Sequence, residues 1–312
     1  MPTKPIQDFI PREIENIKLS RILNEFSEAI EETVNFGSHV FKWCFNAATG
    51  RDENIPIFLS FRHVFELADS VSMLMKQSCI EPCKILLRAI FESLLTIEYI
   101  LEKDTKRRAM DFMVWHTHQE LKICRRWHSD DPLCKEFKGK IKADKVLKNM
   151  EITEFPQIKD EIDKRKKTLQ LPRYSESEKE YQRLKKERKK EPRWWFSLHN
   201  GPENIEKLAK KLNRPAQYHV LYRQWSSAAH GIDIIRSKVS VDESGRVLIH
   251  QIRLPNDAQF VTLLTMSFAS IVIRKFIDHF VPAKKSEAQK WYVDEIRDIN
   301  LALSKKKFIE II

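Results

Sequence analysis

Glycine is scarce in this chain of 312 residues: there are six, at 37, 50, 139, 201, 231 and 245. That is well below the usual share of about 7%, and it argues against architectures that need many tight turns. The phosphate-cradling G-x-x-x-x-G-K-[ST] loop is absent. So are the dinucleotide fingerprint G-x-G-x-x-G, the nucleophile elbow G-x-S-x-G and the zinc helix H-E-x-x-H. Nucleotide hydrolases and dehydrogenases of the usual kinds are thereby set aside. The five cysteines (Cys44, Cys79, Cys83, Cys124, Cys134) are odd in number and form no C-x-x-C pair. They read as reduced, mostly buried thiols of a cytoplasmic protein rather than a disulfide framework or a zinc knuckle. No secretory leader is expected, and the uncharged run at 260–273 is too short to span a bilayer.

What is present is hydrophobic residues at 42% and a formal charge of +11. The charge is uneven. Residues 101–200 hold 27 Lys+Arg against 18 Asp+Glu, a net of +9, so most of the excess lies in the middle third. A basic surface of that kind attracts phosphate backbones or acidic partners. Dense charges of both signs are equally what solvated helices carry.

Apolar periodicity at three- and four-residue steps predicts a mostly α protein. Residues 14–46 read as a first long helix through Ile22, Leu23, Phe26 and Ile30, with a break suggested at Phe36-Gly37-Ser38. A helix over 59–77 and another from Ser78 to about Leu101, with Pro82 in its first turn, form an antiparallel hairpin. A further helix is expected over 105–127. The stretch 129–192 is polar, Lys/Glu-rich and punctuated by Pro132, Pro156, Pro172 and Pro192, which predicts short helices in a basic, exposed insertion or flexible arm. Helices follow at 203–212 and from Pro215. Strand-like runs at 237–241 and 246–252 flank Asp242-Glu243-Ser244-Gly245 as a β-hairpin. An apolar helix at 257–280 and a polar one at 286–303 close the chain. The expected fold class is therefore all-α. It is a single helical domain over 1–312, with N-terminal helices at 14–128, the insertion at 129–192, and an Arg/His helix, β-hairpin and C-terminal helices at 193–312.

The segment most suggestive of chemistry is 222–231, Tyr-Arg-Gln-Trp-Ser-Ser-Ala-Ala-His-Gly. On a helix, Arg223 and His230 are separated by nearly two turns and project from one face. The small Ser226 and Ser227 lie between them. Gly231 suits a helix end after His230. A histidine there feels the negative end of the helix dipole, which favours its charged form. It could serve as general acid or base at a ribose 2′-hydroxyl or a leaving 5′-oxygen, with Arg223 holding the phosphate through forked donors. No metal and no cofactor are required. Arg-to-His spacings of this length arise by chance, and three others occur here: Arg193/His199, Arg214/His219 and Arg274/His279. The plainer alternative is that His230 caps its own helix and Arg223 pairs with a surface carboxylate.

Arg88 and Glu92 are the only charges between Lys84 and Glu98 in a strongly apolar helix. At i, i+4 they can pair. They read as a structural ion pair or as groups that orient His230 or the phosphate. Lys185, Lys186, Arg188, Lys189 and Lys190 form a basic run fit for a nucleic-acid backbone. Trp194, Trp195, Tyr218, Tyr222 and Trp225 could stack on bases but are more simply core residues. His116, His118, Glu120 and His128 match no metal-ligand pattern.

Three segments together resemble a family of uncharacterised all-helical bacterial proteins. They are Leu86-Leu87-Arg88-Ala89-Ile90-Phe91-Glu92, the Trp195 region leading to Asn204-Ile205 and Leu208-Ala209, and the stretch from Tyr222 to Gly231. Through the Arg…His element the chain also resembles the HEPN superfamily. That likeness implies a helical bundle acting as a metal-independent RNase of a bacterial toxin or antiviral defence system. Arg223 would be its phosphate-binding arginine and His230 its catalytic histidine, in a site commonly composite across a homodimer. The superfamily's active members usually carry Asn, Asp or His after the arginine, where this chain has Gln224. The implied partners are RNA and an antitoxin or defence-system subunit, with no membrane. The alternative is a non-catalytic helical adaptor that binds nucleic acid or a protein partner.

Overall fold

The computed structural model describes residues 4–6, 8–48, 50–151, 153–225, 235 and 238–308. The described residues are helical but for one two-stranded hairpin, so the protein is all-α with a small β-hairpin. They fall into two compact units, residues 1–103 with 208–312, and residues 104–207.

The first unit is built on four long helices: α1 (Ile17–Ala47), α2 (Asn54–Lys76), α3 (Ile80–Glu102) and α10 (Ala258–Phe280). Helix α1 starts where the Asn16 side chain accepts the Leu19 amide, 3.0 Å away, satisfying one of the orphan donors of a helix start. Its buried face runs Leu23, Phe26, Ile30, Val40 and Cys44, the periodicity of a core-facing stripe. It is unbroken at Gly37. There α1 and α2 approach so closely that a Cβ on Gly37 would lie 2.0 Å from Cε1 of Phe65. The glycine is a packing notch, and the expected break is not there.

Around that notch, aromatic rings of α2 and α10 interlock. Phe61 stacks on Phe65 with centroids 4.3 Å apart, and Phe276 of α10 meets Phe61 at 4.3 Å and Phe58 at 5.5 Å. Helix α10 alone among the described residues is long and apolar enough to cross a membrane. Here it packs against α1 and α3, with Val261, Phe268, Val272 and Phe276 fully buried.

The second unit centres on α4 (Thr105–Trp127), against which α5 (Pro132–Ala143), α6 (Ile158–Leu169) and α7 (Ser175–Arg188) pack. Short helices were expected within 129–192, and three occur there. The compact unit starts earlier and ends later than that span, because α4 and the Trp195–Asn200 turn are part of it. Pro132 falls at the first helical position of α5, where its missing N–H costs nothing, and Asp131 caps the same helix. Cys134, Ile141, Ile162, Tyr181 and Leu184 are buried, so these polar helices still present an apolar stripe.

The chain leaves this unit within α8 (Ile205–Lys211). It continues as α9 (Pro215–Tyr218), then as a π-helix, His219–Gln224. Strands β1 (Val239–Val241) and β2 (Val247–Ile249) pair antiparallel with Ser240 opposite Leu248. Gly245, at φ +81°, makes the turn between them. After α10 come α11 (Lys285–Trp291), a π-helix Tyr292–Ile296 and α12 (Arg297–Lys305).

Candidate functional site on the third helix

Helix α3 is apolar except for a charged stripe. Lys84, Arg88 and Glu92 recur every four residues, and Glu98 lies beside them, all within an arc of about 120°. Such charges are costly in a packed helix unless partnered. The partners come from α3 itself, from Asp257 and from the segment 214–225.

Glu98 is 7% exposed and is gripped by Arg214, with Nε to Oε2 at 2.5 Å and Nη2 to Oε1 at 2.7 Å. This forked pair fixes the chain just before Pro215 opens α9. One turn on, Tyr218 stacks on Tyr222, with centroids 4.8 Å apart.

Tyr222 is the centre of the site. Its hydroxyl donates to Oε1 of Glu92. The Arg88 guanidinium lies over its ring, 3.9 Å from the centroid, and Nε of Arg88 is 3.6 Å from the same Glu92 oxygen. The three side chains form a closed triangle of ion pair, cation–π contact and charge-assisted hydrogen bond. Burial, reinforced by the Glu92 charge, drives the Tyr222 phenol pKa well above its ordinary value, so the hydroxyl stays a donor.

At the N-terminal end of the stripe, Lys84 is 8% exposed. It reaches Asp257 at 2.8 Å and Glu81 at 2.5 Å and lies 5.5 Å from the Trp225 ring centroid. Burial works to lower its pKa, but hydrogen bonds to Asp257 and Glu81 prevail and raise it. Trp225 also meets Phe260 edge-on at 5.5 Å.

Of the residues singled out from sequence, Arg88 and Glu92 are thus brought to Tyr222, the residue before Arg223. Arg223 is exposed. It lies in the π-helix rather than in an α-helix, and the Trp225 amide donates to the Val220 carbonyl, five residues back, at 3.1 Å. The same-face reading of Arg223 and His230 assumes α geometry from 223 to 230. His230, Ser226 and Ser227 lie outside the described residues. Arg214, expected only as a chance partner of a histidine, holds Glu98 instead. Lys84 and Arg214 were missed as anchors of the segment. The signal for them was present: charges in α3 share one stripe, and each needs a counter-charge.

In the second unit, Lys185 is drawn to Glu191 at 3.4 Å. Lys186, Arg188, Lys189 and Lys190 are exposed. Trp195 is buried, and Trp194 stacks on Phe196 at 5.5 Å, so both are engaged in packing. His116 sits 3.8 Å from Glu120. His118 bonds Glu178 at 2.8 Å and stacks on Tyr181 at 3.9 Å. No group of three His, Cys, Asp or Glu side chains suited to a metal occurs among the described residues.

Residues 54–246 match the sequence model of a family of unknown function, DUF5677. The chain belongs to that family. The DUF5677 match runs from the start of α2 to the turn before β2, so it takes in Arg88, Glu92, Tyr222, Arg223 and His230. Helices α1, α10, α11 and α12 lie outside it. No curated protein and no solved structure matches the chain. The expectation of an uncharacterised helical family agrees with this match, which does not link the chain to the HEPN superfamily.

Proposed function

We propose that the protein is a metal-independent endoribonuclease of a bacterial defence or toxin system, with Arg223 and His230 as its working residues. The observation that carries this reading is the anchoring of Tyr222 by Arg88 and Glu92 immediately beside an exposed arginine. An arginine that binds phosphate must be accessible yet fixed, and a locked neighbour supplies the second condition. The π-helix at 219–224 adds support, because such segments are stability-costly and concentrate at functional positions.

In this reading His230 takes the proton of a ribose 2′-hydroxyl, whose oxygen attacks the adjacent phosphorus. The bond to the 5′-oxygen breaks, that oxygen acquires a proton, and a 2′,3′-cyclic phosphate remains. Arg223 offers two N–H donors to the phosphate as its charge builds. Arg88 and Glu92 act through Tyr222 and are positioning residues. The four exposed cations at 186–190 give the RNA backbone affinity without sequence preference. The dimer and the antitoxin or defence subunit implied by the HEPN likeness belong to the same proposal, as does a cytoplasmic location.

The test is incubation of bulk tRNA and mRNA with the protein in EDTA, beside His230→Ala. Cleavage by the wild type alone, leaving cyclic-phosphate ends, is the expected result. If neither protein cleaves but both bind RNA, the adaptor reading replaces it. That second reading is favoured by the same four exposed cations, which need no cleaving site to hold RNA.

A further inference from the structure

A second candidate lies in the first unit, outside the residues matched by the family and apart from the Tyr222 cluster. A cavity of about 570 Å³ opens between α10 and the α11–α12 segment. That volume is typical of small-molecule sites. Its walls are mostly apolar, with Ile271 and Ile277 from α10 and Ala288, Trp291 and Tyr292 from the segment that follows. Trp291 is held rigidly. It stacks on Phe36 at 4.0 Å, nearly parallel, and its indole N–H donates to Glu32 at 2.8 Å. Tyr292 begins the second π-helix.

Two polar side chains of the cavity have no protein partner among the described residues, one of them buried. The Ser270 hydroxyl is buried without a hydrogen-bond partner. A helical Ser or Thr ordinarily bonds the carbonyl four residues back. Thr262 and Thr265 of the same helix do so, at 2.9 and 2.8 Å, whereas Ser270 does not. Arg274, one turn further on the same face, has no ionic or hydrogen-bonded partner among the described residues. The other cation in the wall, Lys285, is neutralised by Asp278 at 2.8 Å. The cavity thus offers one uncompensated positive charge, a buried hydroxyl beside it, and an apolar body.

We propose that this cavity binds a small organic anion with an apolar tail, its carboxylate or phosphate held by Arg274 and the Ser270 hydroxyl. The forked guanidinium matches either head group, and the aromatic and aliphatic walls accept the tail.

The experiment is calorimetric titration of the full chain with octanoate, octyl phosphate and octan-1-ol, repeated on Arg274→Gln and Ala288→Phe. At least one of the two anions should bind, and which one does assigns the head group. Arg274→Gln should weaken that anion about tenfold or more, the size of a lost hydrogen-bonded charge, and leave octan-1-ol unaffected. Ala288→Phe should abolish binding by filling the cavity. Arg274 is exposed, so its variant keeps the fold, and thermal melting checks this for both. Failure of both anions to bind at millimolar concentration overturns the proposal, as does anion binding that is unchanged in Arg274→Gln. His230→Ala should bind the anion like the wild type, so this outcome is separate from that of the cleavage test.

Discussion

Gly37→Ala should destabilise the first unit although alanine is the better helix former. The added Cβ would lie 2.0 Å from Cε1 of Phe65 and 2.6 Å from its Cδ1, far inside any van der Waals contact. The Phe65 ring cannot easily yield, because it stacks on Phe61, which is itself held by Phe276. Helices α1 and α2 must therefore separate or several rings must turn. Overpacking a tight core costs about 1–3 kcal/mol, and an overlap this deep belongs at the upper end. Alanine recovers about 1 kcal/mol of helix propensity. The net loss is roughly 2 kcal/mol, or about 4–8 °C in Tm for a unit of this size. Gly139→Ala is the matched control. It sits in α5 with nothing within 4 Å of its added Cβ, so it should be neutral or stabilising by up to about 1 kcal/mol. Both are read by thermal melting and urea titration. Equal melting of Gly37→Ala and wild type would refute the close approach of α1 and α2.

The Tyr222 cluster should behave as a unit. Tyr222→Phe keeps the ring under Arg88 but removes the bond to Glu92, costing about 1 kcal/mol because water can reach the half-exposed carboxylate. The double-mutant cycle with Arg88→Ala should show coupling of about 0.5 kcal/mol or more, and strict additivity would dissolve the triangle. Cys44 and Cys83 have thiol pKa values pushed up to about 12, by burial above all. Iodoacetamide at pH 8 should therefore label the partly exposed Cys79 and Cys124 first, by peptide mass mapping. Partial burial lowers the pKa of His279, so folding favours its neutral form. It withdraws stability as pH falls from about its unfolded value of 6.5 through the lower folded value. His279→Gln should flatten that part of the Tm–pH curve, and an unchanged curve would contradict the shift.

Much of the fold was legible because helices leave a 3.6-residue trace. The α2–α3 hairpin, the hairpin at 239–249 and α10 all appear close to where apolar periodicity and turn residues put them. The Gly37 break was misread because a glycine that interrupts a helix and one that admits a neighbouring ring look alike in sequence. The second unit leaves a fainter trace for a related reason. Its helices carry only a thin apolar stripe, such as Tyr181 and Leu184 in α7, amid many charges. For the site, the Arg88 and Glu92 pairing was legible from i, i+4 spacing, but their meeting with Tyr222, 130 residues away, was not. The π-helix was invisible, since no residue pattern distinguishes it from an α-helix.

The central claim is that Arg223 and His230 work together on RNA. Its most direct test is the single-turnover cleavage rate, in EDTA, of the wild type, Arg223→Ala, His230→Ala and the double variant on one defined RNA. Residues that act as one catalytic unit give strongly non-additive losses, so the double variant should be little slower than the worse single one. Losses that multiply, or a rate untouched by His230→Ala, would contradict the account.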